Sequence, residues 1–503
     1  MGQSTLPSTA ATLAEASGVT PGAMLRPLVL AQFVCSYAAS SMNVAISDIA
    51  GDLSTTVSGV QAAITLFTLT MAALMISGSK LSDIIGRKSS FELGLGVYAT
   101  GALVAAASPS LGVLLIGYSL LQGIGTALLI PPVYILATVF YSDLASRARA
   151  FGAISAAGGI GAAAGPLVGG LITTSTSWRV SFLFQVALVL SIMWLGRRIQ
   201  DRARPGPRPS FDLTGAILSA AGLVCIVVGI LQTGTYGWLT AQQDFAIGGV
   251  VLIEAGGPSP LWLFEVAGGV LLLAFFRHIR SVDRAGGVPL LRPRLFQNRV
   301  ANLGLLTQCL QWLVLLGLSF VVSVYLQTVR GFTAIETGLV LTPATIGILV
   351  SSMAAERMAR RRAQSAVILL GFILTLIGLG LLLLLVDISS NVLSFAPGLL
   401  SVGLGVGAML TASVNVVQSS FDEADQGEIS GLSRSISNLG SSLGVAIAGS
   451  VVVSPVLTGN QGYALALAVL ALFALVGVVA ALFGPRRLRE GRAVITEALS
   501  AGP

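Results

Sequence analysis

The sequence predicts an all-α integral membrane protein with 14 transmembrane helices, arranged as two six-helix pseudo-repeats plus an inserted helix pair. Two observations support this fold class. Hydrophobic residues make up 54% of the chain and charged residues only 10%, whereas a soluble domain carries about a quarter charged residues. The chain also divides into apolar segments of about the 20 residues that a helix needs to cross a bilayer. Unbroken runs such as VILLGFILTLIGLGLLLLLV exclude the alternating pattern of a β-barrel.

The predicted helices fall into three groups along the chain. An N-terminal six-helix bundle occupies residues 25–196 and a C-terminal six-helix bundle residues 299–484. Residues 197–298 hold two cytoplasmic linkers, an inserted helix pair (213–233 and 261–279) and an outer loop in which GGVVLIEAGGPSP is compatible with a small hairpin. We expect residues 1–24 to be a disordered cytoplasmic tail and residues 485–503 a second cytoplasmic tail. The individual helices are predicted at 25–47, 58–78, 90–108, 111–134, 148–172, 178–196, 213–233, 261–279, 299–327, 334–355, 364–386, 393–419, 427–453 and 461–483.

The basic residues predict the orientation of these helices. If both termini are cytoplasmic, every lysine and arginine except Arg179 and Arg330 lies in a cytoplasmic segment, as the positive-inside rule requires. The net charge of +7 therefore follows from topology, and we expect no nucleic-acid partner. The polar start of the chain lacks the basic n-region of a cleaved signal. We expect a multi-pass protein of the cell membrane, and the richness in Ala, Gly and Arg suggests a bacterial source.

The two six-helix groups share features at matching places. Each has a charged loop between its second and third helices, SKLSDIIGRKSS at 79–90 and AAERMARRRAQS at 354–365. Each also has a glycine-rich fifth helix. Any helix bundle has loops and glycines, but the matching positions favour a repeat, which is the general plan of secondary transporters.

The segment GAAAGPLVGG is the strongest local motif in the sequence. Gly161, Gly165 and Gly169 are spaced four apart, so they share one helix face and allow a neighbouring backbone to approach closely. Pro166 removes a backbone hydrogen bond and bends the helix. A simple helix-packing face needs only the spaced glycines. The added Pro166 and Gly170 make the motif more specific than such a face, and they are compatible with a hinge or seal.

The loop SKLSDIIGRK is the second motif. Asp83 lies at the end of a helix and is followed by the Gly86 turn and by Arg87 and Lys88. An acidic group there can hold the cytoplasmic ends of neighbouring helices together, and breaking such contacts opens the inner side. The alternative is a solvated charged loop, and the loop alone does not decide between the two.

Together these motifs resemble the major facilitator superfamily over nearly the whole chain. The loop matches that family's G-x-L-a-D-r-x-G-r-k pattern at Leu81, Asp83, Gly86, Arg87 and Lys88, whereas Ser79 replaces its first glycine and Ile84 a usual basic residue. GAAAGPLVGG matches its antiporter pattern G-x-x-x-G-P-x-x-G-G. The inserted pair, introduced by FDLTG, and VYLQTVRGFTAIETGLVLTP are similar to the fourteen-helix drug/proton antiporter branch. The resemblance implies a secondary transporter that works by alternating access. It also implies antiport of protons.

Two departures from that branch bear on proton coupling. Ala38 occupies the position of a usual aspartate in the first helix, and Ser119 that of a usual arginine in the fourth. The resemblance links both missing residues to proton coupling, and their joint loss is coherent because an unpaired membrane charge is costly. Of the remaining acids, Asp48, Glu92 and Glu265 lie within or beside predicted helices. None is a convincing proton carrier, and Glu92 is spaced to pair with Lys88.

Uncharged polar residues within the core helices are the candidates for a substrate cavity. Such groups should point inward, either to the cavity or to another helix, because facing lipid is costly. Gln122 and Gln311 are preferred because they lie near mid-membrane, and Trp312 suits an aromatic or amphipathic ligand. A cavity with little fixed charge favours neutral or weakly polar organic molecules. The candidates are Gln32, Asn43, Gln122, Gln308, Gln311, Trp312 and Asn415.

The leading hypothesis is a secondary exporter of small, lipophilic organic compounds, of the multidrug-efflux type. The alternative is an exporter or facilitator of a metabolite or lipid without proton coupling. We expect a monomer in the lipid bilayer whose partners are a small organic substrate and, under the antiport hypothesis, protons. We expect no enzyme, cofactor or metal, since the chain has no ATP-binding loop or clustered catalytic groups. Its three cysteines and single histidine are interpreted as structural residues.

Overall fold

The computed structural model describes residues 21–141, 144–197, 210–247, 250–359, 364–386, 391–421, 425–454 and 460–484. These residues form a helical segment at each of the predicted positions and one two-stranded antiparallel sheet. The predictions for residues 1–20 and 485–503, and for most of the first linker (198–209), lie outside the described residues.

The first six segments are continuous helices or helices interrupted by short 3-10 or π stretches. α1 covers Pro21–Ser41 and continues through the 3-10 turn Met42–Val44 into the short helix Ile46–Asp52, which is bent by 70°. The next segments are α2 (Val57–Ile85), α3 (Arg87–Ala106), α4 (Leu111–Leu114, the π segment Leu115–Gln122, and Gly123–Phe140), α5 (Leu144–Ala164, the π segment Gly165–Gly169, and Gly170–Ser175) and α6 (Trp178–Gly196).

The inserted pair consists of α7 (Leu213–Tyr236) and α8 (Pro260–Arg284). Between them lie β1 (Phe245–Ile247) and β2 (Val250–Ile253), which pair in antiparallel fashion. The expected hairpin is therefore present, with β2 inside the predicted stretch and β1 just before it.

The last six segments follow a second linker that contains the 3-10 turn Pro293–Gln297. They are α9 (Arg299–Val324 with the π segment Tyr325–Val329), α10 (Ala334–Ala359), α11 (Gln364–Leu385), α12 (the 3-10 turn Val392–Ser394 and Phe395–Gln418), α13 (Gln426–Val452) and α14 (Gln461–Leu482).

The predicted number of membrane spans is reached only in part. Twelve described helices are long and apolar enough to cross a membrane, and a thirteenth is added if the bent α1 is one span. α3 is not among them. Its first turns carry Arg87, Lys88 and Glu92, and the rest is rich in glycine and alanine, so it offers little apolar area to lipid.

Local sequence explains where several helices begin and end. The side chains of Ser177, Asp212 and Asn298 each accept a hydrogen bond from a backbone N–H in the first turn of the helix that follows, which satisfies donors that a helix start leaves free. Gly86 ends α2 with a φ of 97°, a left-handed conformation that side chains disfavour. The tight turn predicted between α2 and α3 therefore depends on this glycine.

The helix packing has a recurring pattern. In the first six segments α1 packs on α5 and α6, and α4 packs on α2 and α3. The same pairs recur eight segments later: α9 packs on α13 and α14, and α12 packs on α10 and α11. We call α1–α6 the first half and α9–α14 the second half. The two halves meet along two further helix pairs, α2 with α13 and α5 with α10. These pairs correspond to each other, because α10 lies eight segments after α2 and α13 eight segments after α5. We call these the α2–α13 seam and the α5–α10 seam.

The inserted pair covers one of these seams. α7 packs on both α2 and α13, and Val227 of α7 lies in one apolar cluster with Leu69 and Ala446. Asp212, at the start of α7, accepts hydrogen bonds from the backbone of Gly215 and Leu290 and contacts His278 of α8. Burial raises the pKa of Asp212, but these hydrogen bonds outweigh burial and leave the pKa below its ordinary value.

Candidate functional site

The α2–α13 seam is held by hydrogen bonds along its whole length. Ser435 of α13 donates to the carbonyl oxygen of Ala72 at 2.5 Å, and Ser442 donates to that of Thr65 at 3.0 Å. Gln61 of α2 donates in return to the carbonyl oxygen of Val445 at 3.1 Å. Side chains of each helix thus bond to the backbone of the other, and the two halves are in close contact along α2 and α13.

One end of this seam carries charged side chains, and we call it the basic end of the molecule; the opposite end is the far end. Lys80 Nζ lies 2.6 Å from the Glu428 carboxylate. Arg292, from the second linker, lies 3.6 Å from Glu428 and 3.2 Å from Asp425, and Arg294 also pairs with Asp425. The carboxylates are nearly buried, with side chains 12% and 8% exposed. We call these five residues the basic-end latch.

The predicted gating loop lies beside this latch. Asp83 and Arg87 form an ion pair of 3.9 Å within the loop itself. Lys88 pairs with Glu92 at 3.7 Å, as the spacing predicted, and donates to the carbonyl oxygen of Arg197 at the end of α6. The contacts named here stay within the first half, and Lys80 connects this end of α2 to the second half.

Sequence reasoning missed the other members of the latch. Asp425 and Glu428 lie in the acidic stretch DEADQGE before and within the start of α13, and the arginines lie in LLRPR after α8. The only indication in the sequence was that these acidic and basic segments carry opposite charges and are predicted on the same side of the membrane. Nothing in the sequence indicated that these two distant segments meet.

The glycine motif of α5 forms a close contact with α1. A Cβ atom added at Gly161 would collide with the carbonyl oxygen of Phe33, and one at Gly169 would lie 2.9 Å from Ser41 Cβ. At Gly165 it would collide with Ser40 Oγ. The three glycines therefore share one face against α1, and the helix widens into a π segment at Gly165–Gly169, which includes Pro166.

Gly170 faces the other half of the molecule. A Cβ atom there would lie 2.6 Å from the carbonyl oxygen of Ala334 in α10. In return, a Cβ atom at Gly338 of α10 would collide with the carbonyl oxygen of Pro166. The motif thus places α5 against two helices at once, α1 through its spaced glycines and α10 through Gly170.

A second set of contacts joins the halves at the far end. Asn43, in the break of α1, accepts a hydrogen bond at its carbonyl oxygen from Gln327 Nε2 at 3.0 Å. Gln327 Oε1 accepts from the backbone N–H of Ser47 at 2.9 Å. The Asn43 side-chain oxygen is buried and has no hydrogen-bond partner among the described residues. The far end is closed by these bonds and by the α5–α10 seam.

Gln122 lies inside the first half, in an uncharged polar cluster. Its Nε2 donates to Gln185 Oε1 at 3.1 Å, and Tyr98 donates to the same oxygen at 2.7 Å. Near this cluster Tyr118 donates to the carbonyl oxygen of Ala38, and Ser119 donates to that of Ala63. The positions where the resemblance expected a charged pair are therefore occupied by Ala38, whose side chain has no polar group, and by Ser119, whose hydroxyl bonds to backbone.

This cluster makes a stability prediction. Gln185→Leu removes the acceptor that Gln122 and Tyr98 share and leaves the Gln122 amide without a partner, which costs about 1–3 kcal/mol. We expect a lower midpoint of thermal unfolding for the detergent-purified variant. Gln242→Leu, at an exposed position of the loop after α7, is the matched control and should leave the midpoint unchanged; equal midpoints for the two variants would contradict the assigned role.

The candidates of the second half lie on α9 and α12. Gln308 accepts from Ser433 of α13 at 2.9 Å, and Gln311 accepts from Ser413 of α12 at 3.0 Å. The Gln311 amide nitrogen is buried and lacks a partner within the described part of the chain. Trp312 is half-buried and packs against an apolar cluster that contains residues of both halves. Asn415 is half-buried near the end of α12.

Gln32 belongs to a polar path that crosses between the halves. Its Oε1 accepts from Tyr134 of α4 at 3.2 Å, and its Nε2 donates to Ser36 at 3.1 Å. Tyr134 in turn contacts Arg434 of α13. This path was not predicted as a unit, since its members come from three separate helices.

The acids considered as proton carriers lie outside this path. Glu92 pairs with Lys88, and Asp48 is exposed in the short helix that ends α1. Glu265 lies in α8 of the inserted pair, and its Oε1 is buried without a partner among the described residues. In the same part of the chain, no three His, Cys, Asp or Glu side chains are grouped to hold a metal.

Comparisons with known proteins give a consistent picture. A family model described as Major Facilitator Superfamily matches residues 28–445. The chain is 28% identical over 428 residues to the puromycin resistance protein pur8 of Streptomyces alboniger, covering 84% of this chain and 80% of that protein. It is 28% identical over 422 residues to the cephamycin export protein CmcT of Amycolatopsis lactamdurans (83% and 82% covered). It is also 27% identical over 387 residues to the multidrug efflux pump LfrA of Mycolicibacterium smegmatis (77% and 72% covered).

A solved structure shows the same fold. The crystal structure of the human organic anion transporter MFSD10 (TETRAN) superposes with a TM-score of 0.57 at 15% identity. The similarity covers 92% of this chain and 100% of that chain. At this identity it is a likeness of fold alone.

Proposed function

Because this chain belongs to the Major Facilitator Superfamily, it is a multi-pass membrane transporter, and we propose that it exports small, lipophilic organic compounds by alternating access. One observation carries the proposal: separate sets of bonds join the halves at the basic end and at the far end. The Lys80–Glu428 ion pair of the latch and the Gln327–Asn43 hydrogen bond share no residue. Either contact can therefore break while the other stays intact. The resistance and export proteins named above support efflux as the direction.

We propose the following topology for the transporter. All of α1–α14 cross the cell membrane, the basic end is cytoplasmic, and both termini lie on that side. The basic residues of the predicted inner segments support this orientation. The division into bundles at 25–196 and 299–484, joined by the inserted pair, is supported by the recurrence of helix pairs eight segments apart.

The glycine motif and the loop have separate roles in this proposal. Gly161, Gly165 and Gly169 hold α5 to α1 so that the first half moves as one body, and Pro166 and Gly170 seal the far end against α10. The loop around Asp83 and Gly86 supports the latch by fixing the end of α2.

We assign the substrate cavity to the space between the halves. The Gln311 amide nitrogen is buried without a partner among the described residues, and Trp312, the next residue of α9, packs against an apolar cluster that contains residues of both halves. An amide donor next to an indole suits a lipophilic compound with a few polar groups. Gln122, Gln308, Asn43 and Asn415 stay candidates. Gln122, like Gln311, bonds to a neighbouring helix through one amide atom and has the other buried without a partner among the described residues, and Gln308 bonds to Ser433 of α13.

A second candidate function is export or facilitation of a metabolite or lipid without proton coupling. The uncharged surroundings of Ala38 and Ser119 favour it. In the first half the polar cluster of Tyr98, Gln122 and Gln185 holds no group that changes charge near neutral pH.

Reconstitution into liposomes tests both candidates. We expect purified protein to move lipophilic dyes at a saturable rate that protein-free liposomes do not show. Faster movement with an imposed pH gradient would identify antiport, whereas a rate indifferent to the gradient would identify the second candidate. Failure to move any of the dyes under either condition would contradict the export of lipophilic compounds.

A further inference from the structure

One charged side chain, that of Arg434, lies within the helical span of α13, although the topology predicted from the sequence places this residue among the basic residues of the cytoplasmic segments. Arg434 follows the start of α13 at Gln426 by eight residues, about 12 Å along the helix axis. The other charged residue of this helix, Glu428, lies in the first turn and belongs to the latch. Arg434 is thus separated from the ion pairs of the basic end and lies inside the bundle.

The faces of α13 show where Arg434 points. One face bonds to α2 through Ser435 and Ser442, and another bonds to α9 through Ser433. Leu439 and Leu443 pack against the apolar cluster that α2, α7 and α13 share. The remaining face carries Arg434 and Asn438, which are four residues apart, and it is directed toward the first half, where Arg434 reaches α4.

Arg434 contacts an aromatic surface there. Its guanidinium carbon lies 4.7 Å from the ring centroid of Tyr134, and Nη2 donates to the Tyr134 hydroxyl. Phe151 of α5 stacks on the same ring at 5.9 Å. From Tyr134 the polar path continues through Gln32 to Ser36, which lies farther from the basic end. Arg434 and Tyr134 therefore stand at the entrance of a polar path between the halves.

The guanidinium has no counter-ion among the residues that the structure describes. No carboxylate of the described residues lies within 4.0 Å of it, and the side chain is half-buried. A guanidinium has five N–H donors, and the contact with Tyr134 uses one of them. Charged residues inside a membrane bundle are costly and mark pathways for ions or substrates. An anionic oxygen would use the remaining donors and neutralise the charge.

We propose that Arg434 binds the anionic group of an aromatic organic anion, while Tyr134 and Phe151 provide the stacking surface for its ring system. The site lies on the path between the halves, so a bound anion would be carried through the alternating-access cycle. This inference rests on the proposed export function and narrows its substrate class. It also modifies the expectation of a cavity with little fixed charge, because the Arg434 guanidinium selects for a negative substrate.

A matched pair of probes tests the proposal. 8-Anilinonaphthalene-1-sulfonate is an aromatic anion, and N-phenyl-1-naphthylamine has the same ring system without the charge. We expect wild-type protein in liposomes to transport both. Arg434→Gln should raise the apparent KM for the sulfonate about tenfold or more, the effect of losing one charge-assisted hydrogen bond, and leave the amine unchanged. Arg434→Lys keeps the charge and should show a smaller increase.

The control is Arg280→Gln, which removes an exposed arginine of α8 and should change neither probe. If Arg434→Gln changes the apparent KM for both probes equally, or changes neither, the proposal is overturned. Arg434 would then have only a structural role in the contact between α13 and α4. Equilibrium dialysis of the sulfonate against purified protein decides the point independently of transport. If wild-type protein moves neither probe, the export function fails, while the dialysis still tests the anion site.

Discussion

Gly170→Ala is expected to abolish most of the transport activity. The added Cβ would lie 2.6 Å from the carbonyl oxygen of Ala334 and 3.1 Å from the Cα of Ile335. Both are backbone atoms, so the contact is relieved only if α10 moves away from α5. Overpacking of this kind costs about 1–3 kcal/mol, and it acts only on the state in which the far end is closed. That cost corresponds to a population of the closed state about 5–150-fold lower.

Dye transport in liposomes measures this loss, and cysteine labelling identifies its cause. Thr337 lies at the far end of α10 and is fully buried, so Thr337→Cys should react slowly with an impermeant maleimide. Adding Gly170→Ala should accelerate the labelling. Gly152→Ala is the matched control on α5, because no atom lies within 4 Å of its added Cβ. Equal transport by the two alanine variants would show that the α5–α10 contact is not part of the cycle.

Glu428→Lys is expected to have a similarly large effect at the basic end. It places a cation beside Lys80 and Arg292, where the wild-type carboxylate lies 2.6 Å and 3.6 Å from their nitrogen atoms. Because the Glu428 side chain is only 12% exposed, salt screens this interaction less than one at the surface. Loss of a hydrogen bond to a charged group costs about 1.5–3 kcal/mol, so we expect at least a tenfold lower population of the state closed at this end.

Labelling again separates this effect from misfolding. Ser79 is buried against Gly431 in the α2–α13 seam, so Ser79→Cys should react faster when Glu428→Lys is added. The exchange Lys80→Glu with Glu428→Lys should restore part of the transport, and Glu254→Lys, in an exposed loop at the far end, should have no effect. Failure of the exchanged pair to recover any activity would remove the ion pair from the mechanism.

The two variants should act in opposite directions on the same equilibrium. In an alternating-access cycle a change that opens one end stabilises the state in which the other is closed. We therefore expect Gly170→Ala to slow the labelling of Ser79→Cys, and Glu428→Lys to slow that of Thr337→Cys. Independent local effects would not produce this reciprocity.

The sequence alone determined the parts of this protein that depend on composition and spacing. Apolar segments of sufficient length predicted a helix at each position, because backbone groups in lipid must be satisfied within a helix. The four-residue spacing of Gly161, Gly165 and Gly169 predicted a close-packing face, since this spacing recurs on one side of a helix. The pairing of Glu92 with Lys88 followed from the same local geometry.

Only the tertiary structure decided which distant segments meet. Lys80 and Glu428 are separated by 348 residues, and Tyr134 and Arg434 by 300; no local pattern encodes either contact. The buried glutamines show the same limit. A polar side chain in a membrane helix must point inward, but only the packing decides which of its atoms find partners. Gln122 and Gln311 each bond to a neighbouring helix, and each has one amide atom buried without a partner among the described residues. Hydrophobic periodicity is a local property, whereas the pairing of charges and amides depends on how the two halves are packed together.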